Sequence, residues 1–517
     1  MHGPGRHSSP GDVETAGAGF VADGGPGAAT SGPTPPRTSR LFGRDLLYVA
    51  VLSLQLVSAT VVSPVLAHVL PPDQFGTLAS AIALHQALVV LAILGLDQAM
   101  ILLRAETGSD HTARSIVAIG LVCATVLTGL AFVTEPLWGP AMGFPDMDPI
   151  VAIVIGWTPL ASGVLMASAL LMSQDRLSAF ALVNVMSSIG GQLVGLGVLL
   201  IGDQRTAGAY AVGNLVTLAA TLPVAMVLVR PRFRGLIEVP LASRALRLGL
   251  PLVVSNTAVY VLNASDRLVV LKILGPEEAG RYQIAYVVGN LAVLLLSMVD
   301  GAWLTRIAEV REDAARWLAL SLARSGLLML MTPVIVGITL AAPLLLRLVA
   351  PAAFRPADLV VVTFLVALSG FPVLLGVAWS MELMTRKRTR LVAACAMTAA
   401  AANVALNILL VPVWGIAGAA AATVAAFSVE AVGYWIVVPR GVAVPRIRRR
   451  LLVAALLAVA FSAATLWLPA TLTWELVRFG VAAACLPWLL LAWRRARRTL
   501  EEGLAPVAED AGAAVRT

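Results

Sequence analysis

Leu70-Pro-Pro-Asp-Gln-Phe-Gly76 and Leu274-Gly-Pro-Glu-Glu-Ala-Gly280 read as one short connection written twice, 204 residues apart. Leu70/Leu274, Pro72/Pro276 and Gly76/Gly280 are identical, and Asp73 and Glu277 are both acids. Past the turn, Ala81/Ala285, Val89/Val293 and Leu91/Leu295 keep the offset, with Asp97 and Asp300 close behind it. Shared turn chemistry alone is the other reading of so short a match. Taken as a repeat, it relates apolar runs 1–6 to runs 7–12. An even number of membrane crossings separates the copies, so they share one orientation. The pseudo-two-fold axis then runs along the membrane normal, and two lobes can rock about a midplane site.

Composition demands the membrane. Soluble domains carry about 25% charged residues; this chain has 13%, with 59% hydrophobic residues and a mean hydropathy of +0.87. Such a surplus of apolar side chains has to face lipid. Apolar runs of about 20 residues are long enough to span, and about fourteen can be placed between residues 46 and 493. The expected fold is an all-α membrane protein with two pseudo-symmetric six-helix lobes and two extra C-terminal helices. Its parts are a disordered segment at 1–42, lobes at 43–240 and 241–440, spans 13 and 14 within 441–495, and a tail at 496–517. The first segment is rich in Gly, Pro, Ser and Thr and cannot bury enough surface to order itself; it does not read as a signal peptide. Pro333 and Pro343 predict a kink in the ninth span.

Counting Lys and Arg in the connections orients the bundle. One end holds 27, from Arg37 to Arg498, and the other holds five: Arg205, Lys272, Arg281, Arg347 and Arg355. The basic end is expected to be cytoplasmic, both termini included, in a cytoplasmic (cell) membrane. The net charge of +8 is spread over that rim, which argues against nucleic acid as a partner. Cys123, Cys395 and Cys485 lie inside apolar runs with neither disulfide nor metal-ligand spacing. No catalytic group, metal or cofactor is expected.

Three places carry a family likeness. They are Leu70–Gly76 followed by Gly95-Leu-Asp-Gln98; Ser265-Asp-Arg-Leu-Val-Val270 leading into Leu274–Gly280; and Phe354-Arg-Pro-Ala-Asp358 with Asn403 to Pro412 and Trp414 to Thr423. On these the chain resembles the polysaccharide exporters of the Wzx type, within the superfamily of lipid II flippases and multidrug/toxin extruders. The resemblance covers roughly residues 44–438. It implies a transporter moving an undecaprenyl-pyrophosphate-linked oligosaccharide by alternating access, among membrane lipids and beside a polysaccharide polymerase or glycosyltransferase. A lipid II flippase and an H⁺- or Na⁺-coupled multidrug extruder share the fold. A membrane glycosyltransferase is the enzyme alternative, but Asp146-Met-Asp148 sits in a connection too short for a catalytic domain.

Ionisable groups inside spans are functional candidates. Arg267 would hold a pyrophosphate through its forked donors, or snorkel to the interface. Asp266 points to another part of the helix surface and is not automatically its partner. Arg324 would hold phosphate near the entrance from the basic end, or serve at the interface. Asn256 and Asn263 offer sugar contacts or helix-to-helix hydrogen bonds, and His85 either binds or packs. Glu430, Asp97, Asp300 and Asp266 are candidates for coupling or gating. Gly191-x-x-x-Gly195 and Gly415–Ala422 read as close-packing surfaces.

Overall fold

The computed structural model describes residues 38–514 apart from 146–147, 203–204, 297–311, 443, 445–446 and 470. Asp300, Asp146, and the expected disordered segment through residue 37 lie outside the described residues. The chain forms two compact units, Met1–Asp45 and Leu46–Thr517. In the first, the described residues begin a helix at Thr38. The second is the helical bundle treated below. Among the described residues every regular element is helical. Thirteen helices among the described residues are long and apolar enough to cross a membrane, and the apolar stretch Ser53–Val69 stands where the first span is expected. This is a multi-pass membrane protein.

The first half runs α1 (Thr38–Val69), α2 (Pro72–Ile93), α3 (Leu96–Thr107), α4 (Asp110–Val133), α5 (Glu135–Met142), α6 (Pro149–Ser173), α7 (Leu177–Asn184), α8 (Gly191–Ile201) and α9 (Ala207–Val229). The second runs α10 (Val239–Leu274), α11 (Pro276–Gly289), α12 (Asp313–Val349), α13 (Val360–Leu368), α14 (Gly370–Thr385), α15 (Thr389–Trp414) and α16 (Ile416–Val437). α17 (Arg449–Ala464) and α18 (Leu472–Ala514) follow. α18 continues as helix past the expected end of its span, because the arginines after Trp493 extend it without a breaker.

Two spans are longer or less regular than hydropathy suggests. The second covers Pro72–Thr107, broken where Leu94 and Gly95 both adopt positive φ (55° and 67°). That break brings Gly95 against Gly249 of α10 so closely that a Cβ on either would overlap the other segment's carbonyl oxygen. The fifth span carries a π-helical turn, Val185–Gly190, between α7 and α8. Such turns are often found at functional sites. Gly195 packs on Gly213, and Gly418 on the Leu410 carbonyl, each without room for a side chain. Both expected glycine surfaces are thus packing surfaces.

α12 is one 37-residue helix with both prolines inside it. Pro343 has no N–H, so the carbonyl of Thr339, four residues earlier, loses its helical donor. Arg478 of α18 supplies the replacement, its Nη2 donating to Thr339 O at 3.2 Å. Glu475, one turn earlier and 3% exposed, pairs with Arg347 at 2.8 Å. These two contacts dock α18 onto α12. Replacing Arg478 by leucine should cost about 1–3 kcal/mol, the penalty for an unsatisfied buried polar group. The measurement is amide exchange in α17 and α18; rates no faster than in the native chain would refute this role.

The core has a division that matters for function. At the end away from the basic rim, one apolar cluster runs through both halves, from Leu66, Phe75 and Tyr210 to Tyr282, Phe354 and Val411. Toward the basic end it gives way to separate clusters. One is built on α2–α4, α6, α7 and α9 with the first turns of α10, the others on α12 and its neighbours. The repeated turns lie within the shared region and meet there. A Cβ on Gly76 would overlap the Pro276 carbonyl, and one on Gly280 would overlap the Pro72 carbonyl. This reciprocity is what a two-fold relation between the turns produces. Phe75 meets Phe354 edge-on, with centroids 5.7 Å apart. Arg281 holds Phe354 in place by donating to its carbonyl (3.2 Å), Glu278 (2.6 Å) and Asp358 (3.1 Å).

Candidate functional site

Just inside that seam lies a cavity of ≈ 390 Å³, walled by α1, α2, α6, the π-helical turn, α8, α9 and α11. Its polar lining is Ser63, Gln86, Ser187, Ser188, Gln192, Tyr210, Asn214 and Gln283, with Phe75 and Trp157 among the aromatic faces. No charged side chain is among the described lining residues. Amides and hydroxyls at this depth are costly unless they find partners, and several do. Ser58 donates to Gln192 (2.7 Å), and Asn184 donates to Ser168 (3.2 Å) and Phe180 O (2.8 Å). Ser187 and Ser188 both donate to the Asn184 carbonyl, at 3.2 and 2.7 Å. The turn thus bends two hydroxyls into the wall.

A second concavity, ≈ 500 Å³, lies between α1, the Pro276–Leu296 span, α12 and α18. Its walls are almost wholly aliphatic: Val57, Val61, Leu291, Leu294, Val334, Ile338 and Leu486 are among them. α1 borders both spaces. Val57, Thr60 and Val61 face the apolar groove, while Val62, Ser63 and Leu66 face the polar cavity. At about 100° per residue these triplets fall on opposite sides of the helix. One helix is the partition.

Arg267 stands one hydrogen bond behind the cavity wall. Its Nε donates to the Gln283 side-chain oxygen at 2.7 Å, and Gln283 itself lines the cavity. Nη1 donates to Asn263 O (2.7 Å) and Asp266 Oδ1 (3.0 Å), and the guanidinium lies over the Tyr286 ring at 4.0 Å. The other Asp266 oxygen accepts from Tyr282 OH at 2.5 Å. Arg267 and Asp266 are 8% and 1% exposed. Two open points are answered here. The arginine is buried rather than snorkelling, and its sequence neighbour is its partner. The guanidinium curls back one helical turn toward Asn263 and passes the carboxylate on the way.

The other candidates disperse. His85 stacks on Trp157 (centroids 4.5 Å apart, 23° between planes) and its Nδ1 lies 3.3 Å from Thr158 Oγ1, so it buttresses the wall. The Asn263 side chain donates to Val259 O (2.8 Å), and Asn256 is half-buried on α10 outside the cavity lining. Arg324 is buried on α12 with its guanidinium 5.3 Å from the Trp379 ring. Glu430 accepts from Tyr434 OH (2.7 Å) on α16. Asp97 occupies the first turn of α3, where the helix dipole favours a carboxylate.

Sequence reasoning passed over the amides that build the cavity, Gln86, Gln192 and Gln283. It weighed ionisable side chains and asparagines. It also passed over Glu382, fully buried at the basic end, which takes donors from Arg316 (3.3 Å), Arg386 (2.5 Å) and Trp317 (3.1 Å). Glu382 inside an apolar run, four residues before Arg386, was the available signal.

Residues 65–358 match the family model described as "Polysaccharide biosynthesis protein", more than half of the 517 residues. The succinoglycan biosynthesis transport protein ExoT of Rhizobium meliloti (strain 1021) is 27% identical over 291 residues. That stretch is 55% of this chain and 58% of the relative. The fold is similar to an inward-facing multidrug resistance MATE family transporter of the MOP superfamily (TM-score 0.57, 14% identity, 80% of this chain and 96% of that one). It is equally similar to lipid II flippase MurJ in an inward closed conformation (TM-score 0.57, 12% identity, 87% and 99%).

Proposed function

Because this chain belongs to the polysaccharide biosynthesis protein family, we propose that it moves a lipid-linked oligosaccharide across the cytoplasmic membrane by alternating access. The cargo class is a polyprenyl chain joined through pyrophosphate to sugar, and the basic end faces the cytoplasm. The single observation that carries this reading is the pairing of an uncharged polar cavity with an aliphatic groove across one helix. A sugar head in hydrocarbon would leave each hydroxyl unsatisfied at several kcal/mol. The amides and hydroxyls around Gln192, Asn214 and Gln283 offer partners, and Trp157 and Tyr210 offer flat faces. A polyprenyl tail needs none of these and suits the groove.

Among the described residues no carboxylate lines the cavity, which disfavours small cations as cargo. Lipid II remains the nearest alternative cargo, since it has the same pyrophosphate and tail. Rocking would proceed between two lobes, 43–240 and 241–440, about the region where the shared core holds one end closed. Arg267, through Gln283, would sense or hold the pyrophosphate at the cavity wall.

The deciding experiment reconstitutes the purified chain into vesicles with labelled lipid-linked oligosaccharide, lipid II, or an organic cation. Leaflet exchange of the oligosaccharide is expected. Exchange of lipid II alone, or movement of cations alone, would overturn the reading. Within it, Gln283→Leu removes both a cavity acceptor and the arm from Arg267. Flipping should fall about tenfold or more, the effect of one lost charged-group hydrogen bond of about 1.5–3 kcal/mol. A native rate in this variant would remove Gln283 from the mechanism.

A further inference from the structure

At the basic end of the first half, an open pocket of ≈ 660 Å³ is lined by His111 and Arg114 of α4 and by Arg230, Pro231 and Arg232 after α9. No step of the transport cycle above uses it. Three guanidinium groups in one concavity repel one another unless something compensates them, and the nearby acids do so weakly. Asp110 is already taken by Arg104 at 2.8 Å. Glu238 reaches Arg232 only at 3.7 Å, with both side chains nearly half exposed. Arg114 Nε is buried without a hydrogen-bond partner among the described residues.

The pocket is built rather than incidental. The Arg232 amide donates to the Arg114 carbonyl at 3.1 Å, and Gly235 lies against Ser115 with no room for a Cβ. The 230–237 segment is therefore fixed on the start of α4. Arg230 holds a left-handed backbone conformation (φ 53°), which is unfavourable for a residue with a side chain. Its neighbours identify the surroundings: Phe233, Ile237 and Val239 are 52%, 82% and 69% exposed. Arginines beside exposed apolar side chains at the end of a span are the pattern of a headgroup-level interface.

We propose that this pocket binds the phosphate of an anionic phospholipid from the leaflet at the basic end, with Phe233 and Ile237 in its acyl region. Arg230 and Arg232 contact the phosphate from the loop, and Arg114 from α4. The positive end of the α4 dipole adds to their field. Occupancy would clamp the α9–α10 connection to α4. The site shares no lining residue with the polar cavity, and its proposed occupant does not depend on the cargo's identity.

The test titrates the full-length chain in detergent micelles with fluorescently tagged phosphatidylglycerol, and with phosphatidylcholine as the neutral arm. Basic side chains near an anionic lipid surface are each worth roughly fivefold in affinity. Arg230→Gln with Arg232→Gln should therefore weaken phosphatidylglycerol binding about 25-fold and leave phosphatidylcholine unchanged. The Arg230→Lys/Arg232→Lys chain keeps the charge and should bind within a few-fold of the native protein, which separates lost charge from a misfolded loop. Unchanged affinity in the glutamine chain overturns the proposal. So does displacement by inorganic pyrophosphate as effective as by unlabelled phosphatidylglycerol, which would assign a soluble anion. Preferential binding of a lipid-linked oligosaccharide here would assign the pocket to cargo and overturn it equally.

Discussion

Asp266→Ala is expected to destabilise the protein by about 3–5 kcal/mol, because it strands Arg267 as an unpaired charge in a buried site. The cost should fall toward the lower end of that range. Gln283, the Asn263 carbonyl and the Tyr286 ring stay on the guanidinium, and neutral partners recover part of what the carboxylate supplied. Tyr282 OH meanwhile loses its acceptor. Removing both charges, in Asp266→Ala/Arg267→Met, should restore much of the loss, since an ion pair exchanged for apolar groups is often neutral or better. Denaturation midpoints of the two variants in detergent check this. Equal midpoints would mean the pair is not coupled, and the cluster could not act as one unit behind the cavity wall.

Gly76→Ala should shift the conformational balance. The added methyl collides with the Pro276 carbonyl, and backbone on both sides leaves nothing flexible to yield. Overpacking of this kind costs about 1–3 kcal/mol, so the closed seam should lose roughly 5- to 150-fold in population relative to states where the halves part there. A cysteine at Ala279, which is fully buried in the closed seam, reports the change in a chain whose three native cysteines are replaced. Membrane-impermeant maleimide added at the end away from the basic rim should label it faster in the Gly76→Ala background. Equal labelling rates would show that the repeated turns are not the closure.

Although the close approach that demands Gly76 and Gly280 shows only in the fold, the repeated turn was legible in the sequence because Pro72 and Pro276 mark helix starts locally and recur at matched spacing. The helical spans were legible for the same local reason. What resisted was whatever depends on distant segments meeting. Gln86, Gln192 and Gln283 look unremarkable in their own spans and become a site only when three helices converge. The turn at Val185–Gly190 has no proline or charge to announce it. Nothing around Arg478 in its own span announces its role. The carbonyl that needs Arg478 belongs to Thr339, 139 residues away. Asp266 and Arg267 failed differently: helix periodicity placed the two Cβ atoms correctly, and the long arginine stem undid the inference.

Arg478 has a bearing on how the chain is made. Helices leave the ribosome in order, and at 5–20 residues per second the 139 residues between Thr339 and Arg478 take roughly 7 to 28 seconds to synthesise. Throughout that interval the ninth span sits in the lipid with an open acceptor at its proline, awaiting a donor that has not been translated. The newborn protein must bring α18 into place before α12 is satisfied, so the middle of the bundle matures only after a later helix has been made.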